Sequence, residues 1–357
     1  MSNTFGRMFR FTTWGESHGH SLGVVIDGCP AGMKLDQKDI QKDLDRRRPG
    51  QSRVTTQRKE ADRAEILSGV FEGYTTGSPI SIVVKNQDAD SSKYEPLRDT
   101  FRPGHADFTY YKKWGRRDHR GGGRSSARET LCRVAAGSIA KKILNTIGVS
   151  VFGFVDQIEN IVFDEKSFNK EEIERNNVRC PDKKTAKLME DAILKARKDG
   201  DSVGGGITIL AENVPSGLGE PLYGRLDSDL ASALMSINAV KGVEIGAGFD
   251  SIAMRGSENN DPLTVSRKKT IFKSNNSGGI LGGISTGDPI KVRFAVKPTS
   301  SILMVQDTVT TDGKKKKIKV EGRHDPCVAT RAVPIGEAMV AIVLVDHWLM
   351  SQKDRID

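Results

Sequence analysis

Two stretches from opposite halves of the chain, GVFEGYTTGSPISIVV (69–84) and GILGGISTGDPIKVRF (279–294), share Gly69/Gly279, Gly73/Gly283, Thr76/Thr286, Gly77/Gly287, Pro79/Pro289 and Ile80/Ile290. Glycine reaches left-handed backbone at little cost and proline fixes φ, so recurrence at fixed offsets means one turn geometry built twice. Two further pairs keep the same order. LGVVIDGCPAGMKLDQKDIQKDL (22–44) faces GITILAENVPSGLGEPLYGRLDSDLASAL (206–234), each an apolar strand, a Pro-x-Gly turn and an amphipathic helix. GRSSARETLCRVAAGSIAKKIL faces GRHDPCVATRAVPIGEAMVAIVL across a one-residue gap. Three blocks in register order imply one domain, 1–357, made of two fused strand-helix-strand-strand-helix units at about 6–150 and 202–350. The charged segment at about 151–201 reads as an insertion carrying a surface helix. The expected fold class is therefore α/β (α+β), a duplicated sandwich with largely antiparallel sheets.

The polar residues break this symmetry. WGESHGHS and FRPGHADF have no counterpart in the second unit, and KPTSS and GRHDP have none in the first. Copies that have divided their labour in this way carry one composite site per chain. Composition narrows what that site can serve. The chain has a net charge of +9, which calls for anionic partners: nucleic acid, acidic lipid, or phosphorylated and carboxylated metabolites. The longest apolar run, AMVAIVLV, is too short to span a bilayer, and the N-terminus shows no secretory signal, so the expectation is a cytoplasmic protein with no membrane partner. Four scattered cysteines form no C-x-x-C pair, which argues for reduced thiols and against a metal site.

His18 and His105 sit in glycine-bearing loops, GESHG and RPGHADF, where an imidazole is placed to touch a ligand. His347, inside an apolar helical run, reads as a packing residue. Arginines gather at DRRRPGQSR (Arg46, Arg47, Arg48, Arg53) and recur at Arg102, Arg124, Arg128, Arg133, Arg323 and Arg331, beside glycines and hydroxyls that suit a polyanion. DGKKKKIKVEG (312–322) reads as a solvated hairpin or loop. DHRGGGRSSARET (118–130), a glycine loop opening a helix, is a candidate phosphate cradle.

Seven blocks, GESHGHSLGVVIDGCP, RPGHADFTY, GGGRSSARETLCRVAAG, MSINAVKGVEIG, GGILGGIS, KPTSS and GRHDPCVATRAVPIGEAM, together resemble the chorismate synthases, over nearly the whole chain. Where the family often has Asn-His-Ala-Gly-Gly, this chain has Asn275-Asn276-Ser277-Gly278-Gly279. The resemblance implies a β-α-β sandwich, a homotetramer, and anti-1,4-elimination of phosphate from 5-enolpyruvylshikimate 3-phosphate to give chorismate, the last step of the shikimate pathway. It implies dependence on reduced FMN without net redox change.

By the same resemblance, His18 stands by the reduced flavin, His105 protonates the departing phosphate, and Asp325 works with the flavin in deprotonation. Ser17 and Ser126 hold the histidines or relay protons. FMN falls to Arg124, Ser125 and Ser126, to Asn238 and Ala239, to Gly282, to Lys297, Pro298, Thr299, Ser300 and Ser301, and to Arg323. Substrate, or NADPH in members that use it as reductant, falls to a basic patch with Arg47 and Arg53, to which Arg46, Arg48, Arg128, Arg133 and Arg331 are joined. No appended reductase domain is visible, so an external flavin reductase is the expected source of electrons. The rival reading is a basic nucleic-acid-binding protein; its glycine-arginine motif is not repeated, and few aromatics interleave its basic residues.

Overall fold

The first sheet contains β1 (Thr4–Phe5), β2 (Arg10–Gly15), β3 (Ser21–Asp27), β4 (Ala64–Ile66) and β5 (Ile80–Lys85), in the spatial order β1-β2-β3-β5-β4. The computed structural model describes residues 3–56, 60–87, 92–266, 269–320, 322 and 324–354. Leu22, Val24 and Ile26 of β3 are buried, as are Ile80, Ile82 and Val84 of β5, which is the period-two signature of a sheet covered on one face. The second sheet contains β6 (Ser150–Ile158), β7 (Ile161–Val162), β8 (Gly205–Glu212), β9 (Val240–Ile245) and β10 (Ile290–Val296), ordered β9-β10-β8-β6-β7. Every ladder described in both sheets is antiparallel, as the turn spacing predicts.

Between the sheets lie helices. Of α1 (Gln37–Arg47), α2 (Asp107–Trp114), α3 (Thr130–Thr146), α4 (Lys183–Lys198), α5 (Leu226–Met235) and α6 (Ala329–Ser351), α1 and α3 pack on the first sheet and α5 and α6 on the second. α3 and α6 pack on each other, so the architecture is the expected β-α-β sandwich. α6 is buried continuously from Ala332 to His347 and has no polar face there, because it is covered on all sides. It is long and apolar enough to cross a membrane, but 83% of its apolar window is buried inside the protein. Gly137 of α3 lets the two helices close, since a Cβ there would lie 2.3 Å from the Ala338 Cβ. His347 is buried in α6 and paired with Asp229 at 2.9 Å, in keeping with a packing role.

The duplicated blocks adopt matching geometry. Each glycine block forms a short hairpin, Val70–Phe71 with Tyr74–Thr75 and Ile280–Leu281 with Ile284–Ser285, and then enters a central strand. Thr75 Oγ1 donates to Pro30 O (2.7 Å) and accepts from Met33 N (3.0 Å). Ser285 Oγ donates to Pro215 O (2.6 Å) and accepts from Leu218 N (2.9 Å), the same bracket in the other half. Gly73 and Gly283 hold φ of 81° and 90°.

The expected insertion at about 151–201 needs correction at its start. β6 pairs with β8 along its whole length and buries Phe154, Val155 and Ile158, so it belongs to the second sheet. Beyond it β7 extends the same sheet and Val178 and Cys180 are buried, and the segment ends in α4, which buries Ala186, Met189 and Ile193. In the sequence, the apolar residues of SVFGFVDQI are outweighed by the charged residues that follow. The lysine-rich segment is a hairpin, Gln306–Val309 with Lys315–Ile318, seated on Leu97 and Tyr94.

Candidate active site

Six loops converge on one cleft of about 570 Å³. The β2–β3 loop brings His18, with Ser17 buried behind it, the segment before α2 brings Arg102 and His105, and the glycine loop brings Gly121, Ser125, Ser126 and Arg128. Asn238 and Ala239 enter from β9, Lys297 to Ser301 from the end of β10, and His324, Asp325 and Arg331 from the start of α6. Both halves of the chain therefore contribute, and the volume lies within the roughly 300–1,000 Å³ typical of small-molecule sites.

His105 is anchored from beneath. Its Nδ1 lies 3.1 Å from Asp107 Oδ1, at ion-pair distance but misaligned for a hydrogen bond. Asp107 is itself gripped by Arg102, which donates from Nε (2.7 Å), Nη2 (2.9 Å) and its backbone N–H (3.1 Å). Burial would raise the Asp107 pKa, but the Arg102 hydrogen bonds and the adjoining His105 imidazole outweigh it and hold the carboxyl far below the ordinary range. Burial pushes the His105 pKa down, with Arg102 and Arg117 adding to the fall and Asp107 opposing it. The balance favours the neutral imidazole.

His18 Nδ1 lies 3.2 Å from Ser17 Oγ, and its ring meets Tyr94 edge-on at 5.1 Å. The glycine loop supports both rings directly. A Cβ on Gly121 would fall 2.0 Å from His18 Cε1, and one on Gly122 would fall 3.0 Å from His105 Cε1. Close approach to the imidazoles, at φ of 64° and 100°, requires these glycines whether or not the loop also cradles a phosphate. Gly121→Ala is therefore expected to keep the fold but displace His18, lowering turnover about tenfold or more, with a shifted His18 ring signal by NMR.

Asp325 accepts from Thr56 N at 2.8 Å through Oδ1 and pairs with Arg331 through Oδ2. The arginines divide by partner. Arg47 and Arg128 both line the cleft and share buried Asp62, at 3.0 and 2.9 Å; burial, with Arg331 and Arg128 adding to it, brings the Arg47 pKa down to about 9. Arg331 lines it too.

Arg46, Arg48, Arg53 and Arg133 do not line it. Arg46 is bound to Glu337 and Glu174, Arg48 lies 3.7 Å from Asp45, Arg53 pairs with Glu190, and Arg133 pairs with Glu129. Successive residues at a helix end point about 100° apart, so Arg46, Arg47 and Arg48 cannot all face one site.

The expected flavin residues also divide. Ser125, Ser126, Asn238, Ala239 and Lys297 to Ser301 line the cleft. Ser126 Oγ accepts from Arg128 N, capping a short turn. Arg124 turns away, donating to Thr13 and Gly15 in a neighbouring hollow of about 750 Å³ that Arg133 also lines. Gly282 lies at the tip of the second hairpin, at φ 59°, where the first copy has Glu72 at φ 50°, outside the cleft lining. Arg323 lies outside the described residues. Asn276 is a loop brace, its amide donating to Glu258 O and Asn259 O.

Among the lining residues, Tyr94 and His324 are given no role by the sequence reading, and Arg102 is named there only among the arginines suited to a polyanion. Arg102 shares the RPGH motif with His105, and His324 stands beside Asp325 in GRHDP, so adjacency was the available signal.

For a flavin, the donor set fits. Asn238 Nδ2 donates to Ser125 O at 3.0 Å while its buried Oδ1 has no hydrogen-bond partner among the described residues, leaving an acceptor for a ring N–H. Ala239 holds the left-handed φ of 69°, and Lys297, Ser300 and Ser301 supply donors nearby.

A family model described as chorismate synthase matches residues 9–349. A chorismate synthase of Pelagibacter ubique is 58% identical over 353 residues, covering 98% of each chain. One of Methanococcoides burtonii is 55% identical over 352 residues, covering 98% of this chain and 96% of its own. A solved structure titled Crystal Structure of Chorismate Synthase superposes with a TM-score of 0.78 at 34% identity, over 98% of this chain and 94% of that one. None of these likenesses supports the nucleic-acid-binding reading.

Proposed function

The chain belongs to the chorismate synthase family, and on that premise we propose that its cleft binds 5-enolpyruvylshikimate 3-phosphate beside reduced FMN. The protein is a carbon–oxygen lyase of the shikimate pathway, acting on a small-molecule substrate to give chorismate and phosphate. One observation carries the finer reading: two imidazoles, His18 and His105, and the carboxylate of Asp325 face a single cleft walled by Arg47, Arg102, Arg128, Arg331 and Lys297. A substrate bearing a phosphate and two carboxylates needs such a lining.

His105 protonates the departing phosphate. The unliganded imidazole is neutral, and the incoming anion raises its pKa and charges it where the proton is needed. His18, steadied by Ser17 and backed by Gly121, holds a proton at the flavin side. Asp325, fixed by Arg331 and the Thr56 N–H, is the carboxylate on the side of deprotonation. Reduced FMN, held by Asn238, Ala239, Ser125, Ser126 and the 297–301 segment, supplies the transient electron density that a non-acidic C–H elimination requires. The expected result is phosphate release from 5-enolpyruvylshikimate 3-phosphate under anaerobic conditions with dithionite-reduced FMN. No release from folded, flavin-loaded protein overturns this reading.

The reading extends to organisation. Two units related by duplication, with their boundary moved to include β6 in the second, account for the matched Pro30/Thr75 and Pro215/Ser285 brackets. Leu222, Tyr223, Phe249, Ile252 and Val265 are largely exposed in the second half, which supports assembly into a homotetramer. A cytoplasmic location, with electrons from an external reductase or NADPH, completes the proposal.

A further inference from the structure

A smaller hollow of about 230 Å³ adjoins the main cleft, and Thr56, Ser301, His324 and Asp325 line both. Asp325 and the Thr56 backbone are committed to each other, and Asp325 also to Arg331. His324 is not so committed. Its Nε2 is buried with no hydrogen-bond partner among the described residues, and the ring lies against Gly322, where a Cβ would come within 2.5 Å of Nε2. A buried imidazole nitrogen left unpaired is costly, and here it stands at the wall of a ligand cleft.

We propose that His324 is a second imidazole of the anion end of the cleft, donating a hydrogen bond, together with His105 and Arg102, to the phosphate group of the substrate and to free phosphate. The inference rests on the reading that a phosphorylated substrate occupies this cleft. Arg102 and His105 come from one loop and His324 from another distant in sequence, and all three line the cleft. Arg102 is aimed by its bonds to Asp107, so its guanidinium is a fixed donor plane.

The charge pattern suits a site that takes a dianion. Burial pushes the His324 pKa down to about 4, with Arg102 and His105 driving it the same way and Asp325 opposing. The hollow is also lined by Arg197 and Asp201, and the cleft by Arg47, Lys297 and Arg331. Two neutral imidazoles beside Arg102 avoid mutual repulsion in the free protein. A bound phosphate stabilises protons on both, so its binding takes up protons from solvent.

The test uses inorganic phosphate with the full chain saturated in FMN, which fills the flavin's own phosphate locus. Calorimetry in buffers of different ionisation enthalpy gives affinity and proton uptake together. His324→Gln is expected to weaken phosphate binding about tenfold and to reduce proton uptake. In the wild type, two of the six histidine ring signals are expected to move to the protonated position as phosphate is added, and one in the variant. Equal affinity and equal uptake in His324→Gln overturn the inference while leaving the proposed function standing. If the variant fails to fold, the wild-type spectrum decides alone: a single moving imidazole overturns it. Failure of phosphate to bind the wild type at all overturns the inference and the anion-site reading together.

Discussion

His105→Ala is expected to slow phosphate release by about 100-fold or more, the usual weight of a positioned general acid, while leaving FMN binding close to wild type. The imidazole has one nitrogen turned to Asp107, which Arg102 fixes with two side-chain bonds, and the cleft is open to the remainder of the ring. Alanine removes the proton donor and leaves the Arg102–Asp107 pair intact, so the pocket keeps its shape and charge. Single-turnover phosphate release and flavin fluorescence titration separate the two effects. Unchanged turnover removes the acid role. A loss confined to flavin binding, with phosphate release instead lost in His18→Ala, exchanges the roles of the two histidines. Because the acid form is required, turnover is also expected to fall as pH rises through the pKa of His105 in the substrate complex.

Glu337→Gln is expected to lower stability by about 4 kcal/mol, the scale of breaking a buried ion pair from one side. Glu337 lies in the middle of α6 and accepts from Arg46 (2.6 and 2.9 Å), from Lys141 (2.6 Å) and from the Gly153 backbone (2.9 Å). It ties α1, α3 and β6 to the central helix. The amide has the carboxylate's shape but removes the buried charge that Arg46 and Lys141 share, leaving Arg46 to Glu174 and Asp43 and Lys141 to Asp43 alone.

Burial alone would raise the Glu337 pKa, yet Lys141 and Arg46 bring it down to about 2. With a folded pKa below the unfolded one, this stabilisation is fully present above the ordinary value near 4.5. It is lost progressively as pH falls from there towards 2. Denaturant melts of wild type and variant at neutral pH and near pH 3 measure it: the gap between them is expected to narrow in acid.

Much of the fold is legible because its signals are local. Pro30 and Pro215, the paired glycines and the alternating apolar residues of 21–27, 80–85 and 290–296 each act within a few residues of themselves. The duplication then doubles each signal. β6 is hard to read because its short apolar run is followed by a run of charge, and composition over a window hides a single nine-residue strand. At the site, His18, His105 and Asp325 are legible as loop residues in unusual motifs, and they do meet in one cleft. Arg102 and His324 were overshadowed by the neighbours that flank them.

Arginine is where sequence reading fails, and the cause is physical. An arginine in a glycine-rich or helix-ending segment is equally suited to a ligand phosphate and to a carboxylate of its own chain. Arg46 finds Glu337, 291 positions away, and Arg53 finds Glu190, 137 positions away. Arg47, between them, turns inward to Asp62 at the cleft. The sequence alone determined the duplicated turn framework, the antiparallel sheets, the family and the three polar groups that converge, because those depend on backbone preferences and motifs read over short spans. Only the tertiary structure decided which cations face the cleft, which are consumed by internal carboxylates, and that the glycine loop packs against two imidazoles, because each of those outcomes depends on helical phase and on partners brought together only when the two halves close on each other.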